Sequence, residues 1–233
     1  MKNNKIKFLI IPLVVVAAFN SSYAQTKIGV NAGVSFSNVV MKDFNGDKME
    51  TNSKPGIQLG LTVDIPITGD FYVQPAAIYA NRGFKQKENG FYGLATNFDV
   101  RANYIEVPVS LLYKPAIGIG NLMIGAGPYI GYATGGTWKS DNNILIGDIM
   151  TENTGKVDFI NNRKEGEFGN YIYGKPLDYG LKFSFGYEFI QQVSILFNAQ
   201  IGLADLYPDY DGVKRSYKTT NKSFGFLLAY TFK

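Results

Sequence analysis

The stretch Tyr104-Ile105-Glu106-Val107-Pro108-Val109-Ser110-Leu111-Leu112-Tyr113-Lys114 is followed by a second, Leu122-Met123-Ile124-Gly125-Ala126-Gly127-Pro128-Tyr129-Ile130-Gly131-Tyr132-Ala133. In the first, Ile105, Val107, Val109, Leu111 and Tyr113 share one face of an extended chain, and Tyr104, Glu106, Pro108, Ser110, Leu112 and Lys114 share the other. That period of two is the signature of a β-strand. In the second, Leu122, Ile124, Ala126, Pro128, Ile130 and Tyr132 oppose Met123, Gly125, Gly127, Tyr129, Gly131 and Ala133. A water-facing strand surface carries Lys, Glu and Thr, because nothing there limits side-chain size and charge keeps it soluble. Glycines and an alanine instead suit a cramped interior. The small or polar face is therefore read as the inside of a narrow closed barrel, and the large apolar face as its outside, against lipid.

The same alternation recurs on both sides of this pair. Residues 27–37 set Ile28, Val30, Ala32, Val34 and Phe36 against Gly29, Asn31, Gly33 and Ser35, and residues 56–67 set Ile57, Leu59, Leu61, Val63 and Ile65 outward against Gln58, Gly60, Thr62 and Asp64. Thr68-Gly69-Asp70 reads as a tight turn. A third strand, 71–82, has Val73, Pro75, Ala77 and Tyr79 on one face and Gln74, Ala76, Ile78, Ala80 and Arg82 on the other, with either assignable to the lumen. Downstream, 177–189 points Leu177, Tyr179, Leu181, Phe183, Phe185, Tyr187 and Phe189 outward and Asp178, Gly180, Lys182, Ser184, Gly186 and Glu188 inward. Residues 193–203 and 224–232 complete the set.

Eight strands result, joined by connections that alternate long (38–55, 83–100, 135–175, 207–221) and short. The expected fold is all-β: an eight-stranded antiparallel up-and-down transmembrane barrel, with short turns on the periplasmic side, long loops outside and both termini in the periplasm. Strands of this length suit a tilted membrane crossing and exceed those usual in soluble sheets. Phe71, Tyr72, Tyr104, Tyr113, Tyr132, Tyr187, Phe189, Tyr230 and Phe232 lie near strand ends, where rings sit at the headgroup level and form a girdle.

Residues 1–24 have three lysines and no acid before an apolar run from Phe8 to Phe19, then Ser22-Tyr23-Ala24. The run is too short to span a bilayer, which needs about twenty residues. It reads as a secretory signal peptide cleaved between Ala24 and Gln25, leaving 25–233 as one barrel domain. Removing the three signal lysines takes Lys+Arg from 23 to 20 against 19 acids. The mature chain is therefore nearly neutral, and nucleic acid is not an expected partner. The expected surroundings are outer-membrane lipid, around a monomer.

Four segments then carry a resemblance: Gln74-Pro75-Ala76-Ala77-Ile78-Tyr79, Tyr104-Ile105-Glu106-Val107-Pro108, Gly125-Ala126-Gly127-Pro128-Tyr129-Ile130-Gly131 and Asp178-Tyr179-Gly180-Leu181. In this order, behind a signal peptide, they resemble the PorT-type outer-membrane β-barrel domain family of Bacteroidota. The likeness spans essentially the whole mature chain. It implies an outer-membrane location and, through the protein after which the family is named, an accessory role in secretion or gliding. Two departures stand out: Ala76 occupies a position where family members often carry a carboxylate, and Lys233 follows the aromatic Phe232 that looks like the terminal assembly signal.

An eight-stranded barrel is filled by its own side chains, so a diffusion porin is not expected. The inward charges Asp64, Arg82, Glu106, Lys114, Asp178, Lys182 and Glu188 are read as a salt-bridged structural plug in the lumen. Some small outer-membrane barrels are lipid-modifying enzymes, but their acyl chemistry uses a histidine base, and this chain has none. A carboxylate-only mechanism would need a paired set of acids that the loops do not single out. Cysteine is absent too, so neither disulfides nor thiolate metal sites arise. The segment Asp43-Phe44-Asn45-Gly46-Asp47-Lys48-Met49-Glu50 superficially resembles a calcium loop, but its glycine and glutamate fall too early. No catalytic residue, cofactor or metal is assigned. The expected function is a structural or interaction role carried by the external loops, with residues 139–164 either folding over the barrel mouth or binding a partner protein. A soluble lipocalin-like carrier of an apolar ligand is the alternative if the facing is reversed.

Overall fold

Strand alternation written over these lengths forces pairing in register, because a slip by one residue would turn every apolar side chain into the lumen. The computed structural model describes residues 26–41, 48–88, 90–189, 192–212 and 218–232. The expected signal peptide with Ala24 and Gln25, and most of the calcium-like segment, lie outside the described residues. Eight long strands form: β1 (Lys27–Val40), β2 (Asn52–Thr68), β3 (Phe71–Gln86), β4 (Phe98–Tyr113), β5 (Gly120–Lys139), β6 (Leu177–Glu188), β7 (Val193–Gly202) and β8 (Thr220–Thr231). Each is antiparallel to the next, and β8 pairs with β1, Phe226 opposite Val34, to close the barrel. No helix among the described residues is long and apolar enough to cross a membrane.

The facing follows the sequence reading. Ile105, Val107, Val109 and Leu111 of β4 are exposed, while Glu106, Ser110 and Leu112 between them are buried. This is the reverse of a lipocalin, whose apolar side chains line the interior. Strand β3, whose facing the sequence left open, turns Ile78, Ala80 and Arg82 inward and Val73, Pro75, Ala77 and Tyr79 outward.

Several strands run further toward the long loops than expected. β1 continues to Val40, β2 begins at Asn52, and β3 and β4 add Gly83–Gln86 and Phe98–Asn103, paired to each other from Gln86↔Phe98 onward. Beyond the hydrocarbon layer outward positions such as Lys85, Arg101 and Asn103 no longer need apolar side chains. The lipid-facing half of the alternation disappears there while the backbone ladder continues.

The aromatic girdle is found at the short-turn end, where exposed Phe71 and Tyr113 stack at 4.7 Å, Tyr187 meets Phe189 at 5.0 Å and Tyr230 meets Phe232 at 5.1 Å. Three expected members do not belong to it. Tyr132 is exposed toward the long-loop end of β5, opposite Leu177. Tyr104 is fully buried, because it shares the inward parity of Glu106. Tyr72 is half-buried, with the Lys114 ammonium 5.5 Å from its ring centre on the lumen side.

Gly127 shows how tightly the wall closes. A Cβ there would collide with the Val109 carbonyl oxygen and come within 2.7 Å of the Ser110 Cα on the neighbouring strand. Neither backbone atom can yield cheaply. Gly127→Ala is therefore expected to cost about 1–3 kcal/mol by overpacking the β4–β5 seam, measured as a lower denaturant midpoint for refolded barrels in lipid vesicles.

The lumen network and the capped mouth

Inward positions of eight strands meet around one axis, so charges distant in sequence become neighbours, and the barrel sorts them by height. Near the short turns, Lys114 at the end of β4 donates to Asp64 Oδ2 on β2 (3.1 Å) and to Glu188 Oε2 on β6 (2.6 Å). The outer oxygens of this triad accept from Gln74 Nε2 (2.7 Å) and Asn121 Nδ2 (3.1 Å).

At mid-height lies Arg82. Its Nε donates to Glu106 Oε1 (2.5 Å), Nη1 to Ser223 Oγ (2.5 Å) and Nη2 to Gln200 Oε1, so one guanidinium ties β3 to β4, β7 and β8. Gln200 Nε2 completes the ring by donating to Glu106 Oε2 (2.9 Å). The five guanidinium N–H donors fan out within one rigid plane, and this geometry makes Arg rather than Lys suited to reaching several strands across a barrel.

Asp178 sits beside this layer with neutral partners: Asn221 Nδ2 (2.9 Å) and the Tyr129 hydroxyl (3.2 Å) both donate to Oδ2. Tyr173, from a long loop, donates to Asn221 Oδ1 (2.8 Å). The seventh predicted charge, Lys182, is buried near this height with no hydrogen bond or ion pair among the described residues. The sequence reading thus named the charges and, by parity, already put Tyr129 and Gln200 on inward faces and Gln74 on the face of Arg82, but it left out Asn121, Asn221 and Ser223. These three fell in segments read as connections or just outside a strand, and extending the strands to include them would have given their inward parity.

Above the Arg82 layer the lumen changes character. Phe84, Phe98, Val100, Trp138, Val157, Tyr171, Tyr173 and Leu206 form a buried apolar cluster, with Phe91 inserted from the loop that joins β3 and β4. Phe91 lies 4.9 Å from Trp138 and 5.7 Å from Tyr171, ring centre to ring centre. Phe91 and Tyr92 hold positive φ of 46° and 60°, a conformation costly for non-glycine residues that packing of the Phe91 ring offsets. Burial pushes the Tyr171 hydroxyl well above the usual phenol range.

The long connection after β5 covers this cluster. Thr154–Phe159 pairs with the end of β5, Tyr171–Gly174 pairs in parallel with Thr154–Phe159, and Ile144 is fully buried. The segment folds over the mouth, as one of the two sequence readings of residues 139–164 expects. Arg163 then sits between Tyr92 and Tyr207, 5.5 Å and 5.6 Å from their ring centres, and donates to the Tyr207 hydroxyl (2.7 Å). The outermost tips stay exposed: Tyr92, Leu94, Leu145, Ile149, Met150 and Phe168. Leu145–Ile146 and Ile149–Met150 make a small hairpin of their own.

An apolar belt outside, a charged ring inside and loops long on one end only define a transmembrane barrel of the outer-membrane type. The chain belongs to the outer membrane protein beta-barrel domain family, which matches residues 20–208. Among curated proteins, none matches the chain. Among solved structures it is similar to Ail, the attachment invasion locus protein of Yersinia pestis, at 13% identity over 89% of this chain and 99% of that one, with a TM-score of 0.41. It is likewise similar to the outer membrane protein OprG of Pseudomonas aeruginosa (15% identity, 88% and 95% coverage, TM-score 0.45) and to the outer membrane enzyme PagL (13%, 84% and 98%, 0.41). At these values the likeness carries no functional argument.

Proposed function

We propose that this outer-membrane barrel works through its extracellular loops, as a binding or structural element of the cell surface, without forming a pore and without catalysis. The observation that carries the reading is the double closure of the lumen. The Arg82–Glu106–Gln200–Ser223 ring spans it at mid-height, and the aromatic cluster fills the mouth above. Function is thereby displaced to the loop surface, where Tyr92, Leu94, Leu145, Ile149 and Met150 stand exposed beyond the membrane belt. Large apolar side chains kept in water on an ordered support are characteristic of contact surfaces. The inward charges serve as structural elements in this reading, since each carboxylate except Asp178 has both oxygens accepting from lumen side chains. The protein acts as a monomer, exported by cleavage between Ala24 and Gln25.

Planar-bilayer recording of the refolded protein is expected to show no steady conductance, and replacing residues 144–151 by a Gly-Ser linker is expected to abolish surface capture of its partner while the barrel still folds. A stable open channel would overturn the reading. The PorT-type resemblance of the four segments supports a finer assignment, an accessory part of a secretion machinery. Deleting the gene would then alter the secreted proteome, and an unchanged secretome would count against it.

A further inference from the structure

The periplasmic half of the lumen holds a small cavity of about 40 Å³ between the Lys114 triad, whose Asp64 lines it, and the Arg82 ring. Its wall includes Lys182, Asn31, Ser194 and Asn198 beside apolar Leu112, Met123 and Leu227. Three of these polar groups lack protein partners among the described residues. Asn31 Oδ1 and Ser194 Oγ are buried without a hydrogen bond, and the Lys182 ammonium, on a buried side chain, makes no hydrogen bond or ion pair among the described residues.

An ammonium in such a place loses most of its hydration unless other groups supply acceptors. Among the described residues no carboxylate is paired with Lys182: Asp64 lines the same cavity but accepts from other groups, and Asp178, whose Oδ1 accepts no hydrogen bond, lies four residues away along β6, about 13 Å of extended chain. Both oxygens of Glu106 already accept from Arg82 and Gln200, and those of Asp64 from Gln74 and Lys114. The three orphans also differ in kind: Lys182 needs acceptors, Asn31 Oδ1 needs a donor, and Ser194 can use either. Only a ligand that both donates and accepts satisfies all three. An anion fails on this count and on charge, because Asp64, Glu106, Asp178 and Glu188 already outnumber Arg82, Lys114 and Lys182 in the same lumen. The size agrees, since a cavity of about 40 Å³ has room for roughly three or four waters at 10–15 Å³ each.

We infer that this cavity is a water site: a small ordered cluster links the Lys182 ammonium to Asn31 Oδ1 and Ser194 Oγ, and couples that cation to the surplus negative charge of the Asp64–Lys114–Glu188 triad. The periplasmic half of the lumen is then wet and the extracellular half dry. This holds whatever the loops bind, so it stands apart from the function proposed above.

The test is water-edited solid-state NMR on the full mature chain in lipid bilayers. Magnetisation from water should reach the methyls of Met123, Leu112 and Leu227 and fail to reach those of Val100, Val157 and Leu206. In Lys182→Met, which removes an unpaired charge and so should still fold, transfer to Met123 should be lost. Equal transfer to both sets, none to the lower set, or an unchanged signal in Lys182→Met would each overturn the inference. So would an anomalous bromide peak beside Lys182 in soaked crystals, whereas no such peak supports water.

Discussion

Arg82→Met should lower barrel stability by about 3–5 kcal/mol, the cost of removing one partner from a buried ion pair. Glu106 would keep only the Gln200 amide, while Ser223 Oγ and Gln200 Oε1 would lose the donor that links them across the lumen. Equilibrium unfolding in denaturant, followed through the fluorescence of the single tryptophan, Trp138, reads the change directly. The double variant Arg82→Met/Glu106→Leu should recover most of the loss, because replacing a buried pair by apolar groups of similar volume is often neutral or stabilising. If the single variant unfolds at the wild-type midpoint, the ring does not hold the strands together. If the double variant is as damaged as the single, the loss came from packing instead of from the stranded carboxylate.

Val107→Arg tests the outside of the same strand. Val107 is 46% exposed in the middle of β4, among Ile105, Val109 and Leu111, where the surrounding medium is hydrocarbon. A lipid-facing arginine at the bilayer midplane costs about 2–4 kcal/mol, falling to roughly 0–1 near the interfaces. Asn103→Arg, on the same face nearer the loops and next in parity to the natural Arg101, supplies the control and should fold like the wild type. Comparable unfolding midpoints for the two arginine variants would mean that the apolar face meets water.

The two variants differ in how far the sequence alone could have anticipated them. Val107 was legible at once: an alternating strand flanked by another whose second face is glycine admits one facing, because only the barrel axis is too narrow for side chains. Arg82 was legible as an inward charge only after its strand was oriented, and β3 reads ambiguously because Val73, Pro75 and Ala77 are no more apolar than Ala76, Ile78 and Ala80. Its partners Gln200 and Ser223 are remote in sequence, and no local pattern ties them to it. Tyr104 failed for a different reason. Proximity to a strand end suggested the girdle, but parity with Glu106 outweighs it, since side chains alternate across a strand irrespective of height.

Strand count, the direction of the apolar face, the long and short alternation of connections and the identity of the inward charges were determined by the chain on its own. These follow from a period of two and from the demand that lipid meet only apolar surface. Tertiary structure alone decided which charge meets which, that Lys182 is left over, that the strands continue past the membrane, and that the long loop after β5 closes the mouth over an aromatic core. Those outcomes depend on the shear of the closed barrel and on contacts between distant loops, and alternation along a single strand carries no information about either.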